Sequence, residues 1–165
     1  MTPDSKRLHV FISHYHKDDT DVGKLTELLN NRGYDVRNSS IRANPDNQER
    51  LRKGLVKDET IRRLLRMKIS WAGKVIVLIG KRTHSRPWVD WEIKQANKQG
   101  KQIIGIYTEG ATGADIPPSF EEYGTKLVTW DEEDIIDALE GTSSPFQTPE
   151  NTPREHLHVS TKSTC

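Results

Sequence analysis

The chain has 165 residues, about the length of one domain, and its 25 basic and 24 acidic residues leave a formal charge of +1. This balance excludes a global field that would draw the protein to nucleic acid or to an anionic membrane surface. No apolar run approaches the roughly 18 residues of a membrane-spanning helix, and Met1–Arg7 lacks the apolar stretch of a signal peptide, so we expect a cytoplasmic protein.

Hydrophobic periodicity divides the sequence into alternating strands and helices. Continuous β-branched apolar runs predict buried strands, and apolar residues three and four positions apart predict helices that pack on a sheet. In chain order the predicted elements are a strand at 8–12, a helix at 19–31, an edge strand at 34–37, a helix at 58–69, a strand at 74–80, a helix from 85 to 100, and strands at 102–107 and 126–128 before a last helix from 131.

Residues at the ends of these segments support the boundaries. Gly33 follows the first helix where a left-handed residue is expected, and Ser85 can cap the helix that has Pro87 in its first turn. Polar and Gly- or Pro-containing stretches predict loops at Asn38–Asn47 and at 108–124.

The pattern of the third strand indicates the fold class. Residues 74–80 are apolar at nearly every position, which implies burial on both faces and therefore a parallel central strand. Right-handed crossovers then give a three-layer, flavodoxin-like α/β fold whose five-stranded parallel sheet has the order 2-1-3-4-5. We expect one domain at 8–140, an N-terminal tail at 1–7 and a disordered Ser/Thr/Pro-rich tail at 141–165.

This strand order predicts where a ligand binds. The order reverses between strands one and three, and ligands of such sheets bind outside the carboxyl ends of the strands at that point. We therefore expect a site built from 13–17, from 80–85 and from the start of the helix that carries Glu92, with Glu92 at the boundary between core and cleft.

Several common chemistries are excluded by the residues at this edge. The first strand leads into Ser-His-Tyr-His-Lys and not into a P-loop, and the third strand ends without the aspartate of a phospho-receiver. His14 and His16 alternate along an extended segment and point in opposite directions, and the one cysteine is Cys165, so we predict no metal site.

Three arginines fall on the predicted second helix away from its apolar stripe: Arg62, Arg63 and Arg66. Such positions usually face solvent, and Asp58 and Glu59 lie within a turn or two as partners. We interpret the cluster as a solvated helix face.

Two motifs resemble a known family. Ser85-x-x-Trp88-x-x-x-Glu92 is similar to the pattern of TIR domains that cleave NAD, in which the glutamate is catalytic, and Phe11–His14 resembles the end of their first strand. Together with Val77–Gly80 and with residues 100–106, these motifs resemble the TIR-like (ThsB-type) subunit of bacterial Thoeris antiphage systems, over about residues 8–140.

The resemblance implies that Glu92 is catalytic, that NAD is a substrate and not a cofactor, and that the nicotinamide–ribose bond is cleaved. It also implies an ADP-ribose-derived, cyclic signal that activates a separate effector protein. Ordinary glycoside hydrolysis uses two carboxyl groups, but nicotinamide leaves NAD as a neutral molecule, so one glutamate that stabilises the ribosyl cation suffices.

Residues around this carboxylate are expected to hold the substrate. Ser13 offers a hydroxyl, Phe11 or Tyr15 a stacking surface, and Lys17 a cation ahead of a helix N-terminus that favours phosphate. The full predicted set is Phe11, Ser13, His14, Tyr15, Lys17, Ser85 and Trp88.

Other interpretations of the same motifs stay open. A non-enzymatic TIR module would act by self-association or partner docking, and a flavodoxin-like sensor would bind a nucleotide without turnover. A homo-oligomer is also compatible with the sequence, because TIR enzymes commonly need a second subunit to complete the cleft. Partners other than NAD and the effector, in particular nucleic acid and membrane, are not expected.

Overall fold

A computed structural model describes residues 8–15, 19–38, 58–81 and 83–140, which form a five-stranded, all-parallel sheet in the order β2-β1-β3-β4-β5. The strands are β1 (His9–Ser13), β2 (Asp35–Asn38), β3 (Lys74–Ile79), β4 (Gln102–Tyr107) and β5 (Lys126–Val128). The helices are α1 (Asp19–Asn31), α2 (Asp58–Trp71), α3 (Pro87–Lys98), α4 (Pro118–Tyr123) and α5 (Glu132–Glu140). The predicted flavodoxin-like fold and its strand order are confirmed.

Alternation along the central strands produces two hydrophobic cores, one on each face of the sheet. On β1, Phe11 joins the core under α2, α3 and α4, whereas Val10 and Ile12 join the core under α1 and α5. Because successive side chains of a strand point to opposite faces, Ser13 follows Phe11 toward the α3 side. The register of β1 therefore decides which residues can meet α3.

Three local predictions can be compared with the structure. Gly33 has a φ of 89°, the left-handed conformation expected after α1. The cap of α3 was predicted wrongly, because Arg86 occupies the N-cap position and Ser85 lies in the preceding 3-10 turn. The loop predicted at 108–124 contains α4, a helix too short to show a repeating apolar stripe.

Parts of the sequence-based description lie outside the described residues. These are the tails at 1–7 and 141–165, the histidine at 16, Lys17 and the loop after Asn38. Within the described segments, no helix combines the length and the apolar character needed to cross a membrane.

Gly105 allows the sheet and α4 to approach each other closely. An added Cβ would lie 2.7 Å from the Phe120 ring and 2.9 Å from the side chains of both Ile79 and Leu127. No real Cβ tolerates such distances without movement of its neighbours. A glycine is therefore required at the centre of β4, where strands otherwise disfavour it.

Replacing Gly105 by alanine is expected to destabilise the fold by about 1–3 kcal/mol, because the methyl group overpacks a buried site. Gly23→Ala is the control, since Gly23 lies inside α1 with no atom within 4 Å of the added Cβ. That change is expected to stabilise by about 0.5–1 kcal/mol through helix propensity. Urea unfolding of both variants measures the difference, and equal effects would contradict the close approach at Gly105.

Candidate functional site

The site lies at the carboxyl ends of β1 and β3, where the strand order reverses. After β3, Gly80 donates its backbone N–H to Thr83 Oγ1 at 2.8 Å, and the Thr83 N–H donates to the Gly80 carbonyl at 3.1 Å. This reciprocal turn buries the Thr83 side chain completely. It fixes the point at which the chain turns back into α3 and passes over the end of β1.

Ser13 and Glu92 meet inside this corner. The Ser13 hydroxyl donates a hydrogen bond of 2.5 Å to Glu92 Oε1, a separation typical of a hydroxyl that donates to a carboxylate. Both residues are 0% exposed. A buried carboxylate without a partner is costly, so this hydrogen bond helps to stabilise an acid at this depth.

The burial of Glu92 differs from the expectation that this residue would sit at the boundary between core and cleft. Its neighbours on α3, Val89 and Ile93, are fully buried in the core on the same side of the sheet. In the conformation described, the carboxylate is closed off from solvent. A substrate that reaches Glu92 must therefore displace side chains or backbone that cover it.

Lys68 of α2 places a positive charge near this carboxylate. Burial lowers the pKa of Lys68 and the charge of Arg37 lowers it further, whereas the negative charge of Glu92 acts in the opposite direction. The ammonium group also donates to the backbone carbonyl of Asn38, at 3.2 Å. The corner thus combines an acid and a partly desolvated lysine that interacts with it.

A second contact joins the β1 loop to α3 closer to the surface. The guanidinium carbon of Arg86 lies 3.8 Å from the centre of the Tyr15 ring, a close cation–π stack. Tyr15 is two residues beyond Ser13, and Arg86 is six residues before Glu92. The end of β1 and the start of α3 are therefore held together at two levels, Ser13–Glu92 inside and Tyr15–Arg86 outside.

Trp88 belongs to an aromatic and cationic cluster between α2 and α3. It meets Trp91 edge to face, with ring centres 5.7 Å apart, and Arg62 lies 5.5 Å from Trp88 and 5.6 Å from Trp91. Arg66 also lies 5.6 Å from Trp91 and pairs with Glu59 at 2.9 Å. The predicted pairing of this helix face with Glu59 is confirmed for Arg66, whereas the interpretation as a solvated face was wrong for Arg62, because its guanidinium group lies over two indole rings.

The structure places the other predicted substrate residues as follows. Phe11 is packed among apolar side chains of the core, so its proposed use as a stacking surface for a ligand is wrong in this conformation. His14 is also fully buried, and Ser85 is exposed in the turn before α3. Lys17 falls outside the described residues, and its role stays a prediction.

Asp90, beside the motif glutamate, has a structural role. Its Oδ1 accepts the backbone N–H of Ser119 at 3.3 Å, which caps α4 from a different helix, and its Oδ2 pairs with Lys94 at 3.0 Å. Partial burial acts to raise the pKa of Asp90, but the contacts with Ser119 and Lys94 outweigh it, and the pKa lies below the ordinary 3.8. Asp90 therefore fixes α4 and faces away from Glu92.

Two cavities lie near the same edge of the sheet. One of about 340 Å³ lies between α3 and α4 and includes Arg86 and Asp90 in its lining. Another, of about 430 Å³, lies between α1 and the ends of β4 and β5, with Lys24 and Trp130 among its lining residues. Over the described segments, no cluster of three or more His, Cys, Asp or Glu side chains has the arrangement of a metal site.

Arg86 and Trp91 are the residues that sequence reasoning missed at this site. A signal for Arg86 was present, because the residue before a proline is restricted to extended conformations. Arg86 has φ −96° and ψ 109°, so its side chain leaves the helix start in a fixed direction. No comparable signal reveals the stacking of Trp91 under arginines from another helix.

A doubly wound α/β domain with a buried carboxylate at its switch point is the class that this fold and site define. The sequence matches the family model described as "Thoeris protein ThsB, TIR-like domain" over residues 11–113, more than half of the chain. The chain belongs to this family. No curated protein shows significant sequence similarity to it.

Two solved structures share the fold at low sequence identity, and a third aligns with a TM-score below 0.5. A CMP N-glycosidase of Clostridium botulinum aligns with a TM-score of 0.50 and 17% identity, over 80% of this chain and 98% of the other. A putative pilus assembly-related protein of Burkholderia pseudomallei aligns with a TM-score of 0.53 and 11% identity, over 88% and 96% of the two chains. The TIR domains of the activated Roq1 resistosome align with a TM-score of 0.44 and 16% identity, over 81% and 71%.

The Ser13–Glu92 hydrogen bond can be tested by its effect on stability. Ser13→Ala is expected to destabilise by about 1–3 kcal/mol, because it leaves the buried carboxylate without this donor. In a Glu92→Met background the same substitution is expected to cost almost nothing, because the buried charge is gone. Denaturant unfolding of the four proteins gives the coupling, and an equal cost of Ser13→Ala in both backgrounds would contradict it.

The contacts of Asp90 predict a pH dependence of stability. Because its folded pKa is depressed, Asp90 contributes stability that is present above about pH 4 and is lost as the pH falls through the folded pKa. The stability difference between wild type and Asp90→Asn is therefore expected to shrink between pH 5 and pH 2. Thermal unfolding across this range measures it, and a difference independent of pH would rule out the ionised cap.

Proposed function

We propose that this TIR-like domain cleaves NAD at the nicotinamide–ribose bond and converts it to an ADP-ribose-derived cyclic signal that activates a separate effector. Membership of the Thoeris family supports the reaction class. The single observation that carries the proposal is the buried hydrogen bond between Ser13 and Glu92 at the switch point. NAD acts as a substrate, the protein works in the cytoplasm, and no bound cofactor or metal takes part.

The chemistry requires stabilisation of one developing positive charge. As the bond from the anomeric carbon to the pyridinium nitrogen breaks, its electron pair neutralises the ring, and nicotinamide leaves without needing a proton. The ribose becomes oxocarbenium-like, and an ionised Glu92 stabilises that charge most strongly in a dry environment. Ser13 holds the carboxylate in place, so that it need not reorganise during the reaction.

The burial of Glu92 favours cyclisation over simple hydrolysis. After nicotinamide leaves, either water or an atom of the same ADP-ribose unit attacks the anomeric carbon, and the attacking group loses its proton. Once the covering residues close again over the bound substrate, water is kept away from the cation, which gives the internal nucleophile time to react. Exclusion of water at this step supports a cyclic product.

CMP is a competing substrate to consider, because the name of one structural neighbour describes cleavage of that nucleotide. Cytosine is a poor leaving group unless it is protonated, whereas nicotinamide leaves as a neutral molecule. Cleavage of NAD therefore requires no proton donor at the site, whereas cleavage of CMP does. This difference favours NAD.

Nicotinamide release from NAD by the purified full chain tests the proposal. Glu92→Gln is expected to reduce the rate by at least about 100-fold, because the charge that stabilises the cation is lost while the shape is kept. Glu27→Gln is the matched control, since Glu27 is an exposed glutamate on α1. CMP is supplied in parallel with detection of free cytosine, and chromatography of the NAD products separates cyclic from linear ADP-ribose.

Three outcomes would contradict parts of the proposal. A folded Glu92→Gln protein with full activity would remove Glu92 from the catalytic role. Release of cytosine but not of nicotinamide would change the substrate. Release of neither, by the purified chain and in phage-infected cells, would favour a non-enzymatic module that acts by self-association or partner docking.

A further inference from the structure

Arg86 differs from Arg32 and Arg66 in its contacts with acidic side chains. Arg32 pairs with Glu132 at 2.6 Å and Arg66 pairs with Glu59 at 2.9 Å, each at an exposed position. Arg86 is half-buried, yet within the described parts of the chain it forms no ion pair with a carboxylate. A half-buried cation that forms no ion pair suggests a site for an anion.

The hydrogen-bonding state of Arg86 supports the same reading. Its Nε is buried and has no hydrogen-bond partner among the described residues. Buried polar groups are rarely left unsatisfied, and those that are call for an explanation such as a missing ligand. The guanidinium carbon lies over the Tyr15 ring, 3.8 Å from its centre, and a guanidinium that stacks on a ring keeps the N–H donors along its edge for hydrogen bonds.

The backbone holds Arg86 in place before any ligand arrives. Pro87 restricts the preceding residue to extended conformations, and Arg86 has φ −96° and ψ 109°. Its N–H donates to the Thr83 carbonyl at 3.1 Å, and its carbonyl accepts the Asp90 N–H at 3.1 Å. Preorganisation of this kind reduces the entropy that is lost when a ligand binds.

The position of Arg86 relative to Glu92 suggests which part of the substrate it meets. Six residues separate the two along α3, a rise of roughly 9 Å along the helix axis. In NAD the diphosphate is attached to the 5′ carbon, on the side of the ribose opposite the nicotinamide bond. A ribose at Glu92 has its phosphates on the far side from the carboxylate, and the helix start lies within their reach, where the N–H groups of Trp88 and Val89 add to the attraction.

We infer that Arg86 binds the diphosphate of the dinucleotide through bidentate hydrogen bonds, with Tyr15 holding the guanidinium in position. This inference rests on the proposed function, since it names the part of the substrate that determines specificity in the same site. The planar, permanently charged fork of arginine matches two phosphate oxygens at once. It places the phosphates at the start of α3, whereas the sequence predicted them at the start of α1.

Binding and turnover together test the inference. Arg86→Gln is expected to weaken ADP-ribose binding, measured by calorimetry, and to raise the KM for NAD, each by about 10- to 100-fold. Turnover of nicotinamide riboside, which has the same scissile bond and no phosphate, is expected to be unchanged. Arg86→Lys should fall between wild type and Arg86→Gln, because the charge remains and the fork is lost.

Two controls separate binding from folding. Arg63→Gln removes the same charge from an exposed position on α2 and is expected to bind ADP-ribose as wild type does. Tyr15→Phe keeps the ring face and should retain binding, whereas Tyr15→Ala should weaken it. Thermal unfolding of each variant confirms that the fold is intact.

Each outcome decides between the inference and its alternatives. Equal losses with NAD and nicotinamide riboside would show that Arg86 only supports the start of α3, and unchanged ADP-ribose binding by Arg86→Gln would overturn the diphosphate site directly. Arg86-dependent ADP-ribose binding by a wild-type protein that releases no nicotinamide would support the site and overturn the proposed reaction.

Discussion

The hydrogen bond between Ser13 and Glu92 is the constraint on which the site depends. It joins the last residue of β1 to the second turn of α3 and leaves both partners fully buried. A carboxylate at that depth is tolerated only with a donor, and the donor reaches it only if β1 presents residues 11, 13 and 15 to α3. A slip of one residue in β1 would place Ile12 opposite the carboxylate and leave it without this hydroxyl. Ser13 can therefore donate its hydrogen bond to Glu92 in only one register of β1.

The sequence predicted the architecture well because its signals are local and strong. The nearly continuous apolar run of β3 and the left-handed Gly33 each follow from the residues themselves, and the strand order follows from right-handed crossovers. The α4 helix was missed because its six residues are held by a cap from Asp90 on α3, a contact between segments far apart in sequence. Its neighbour Gly105 is required by the Phe120 ring, which no pattern in β4 reveals.

The site could be predicted in location but only partly in detail. Topology placed Ser13, the turn at Gly80 and Glu92 at one corner, and the structure brings Ser13 and Glu92 into contact. The sequence did not predict how deeply two site residues are buried. Phe11 packs in the hydrophobic core, and Glu92 is fully buried. Side-chain stacking between helices, as for Arg62 on Trp88 and Trp91, depends on rotamers and helix crossing and has no sequence signature.

The enclosure of Glu92 also bears on how such domains change over evolutionary time. A buried acid lowers stability relative to an apolar residue of the same size, so at this position selection for stability and selection for chemistry act in opposite directions. A lineage that no longer needs the reaction gains folding stability by replacing Glu92 and Ser13 together. Replacing Ser13 alone is unfavourable, because the buried carboxylate loses its donor, and replacing Glu92 alone brings little, because the buried hydroxyl loses its acceptor. In this family, the pair of residues found at these two positions would then record whether a given member still relies on the buried acid.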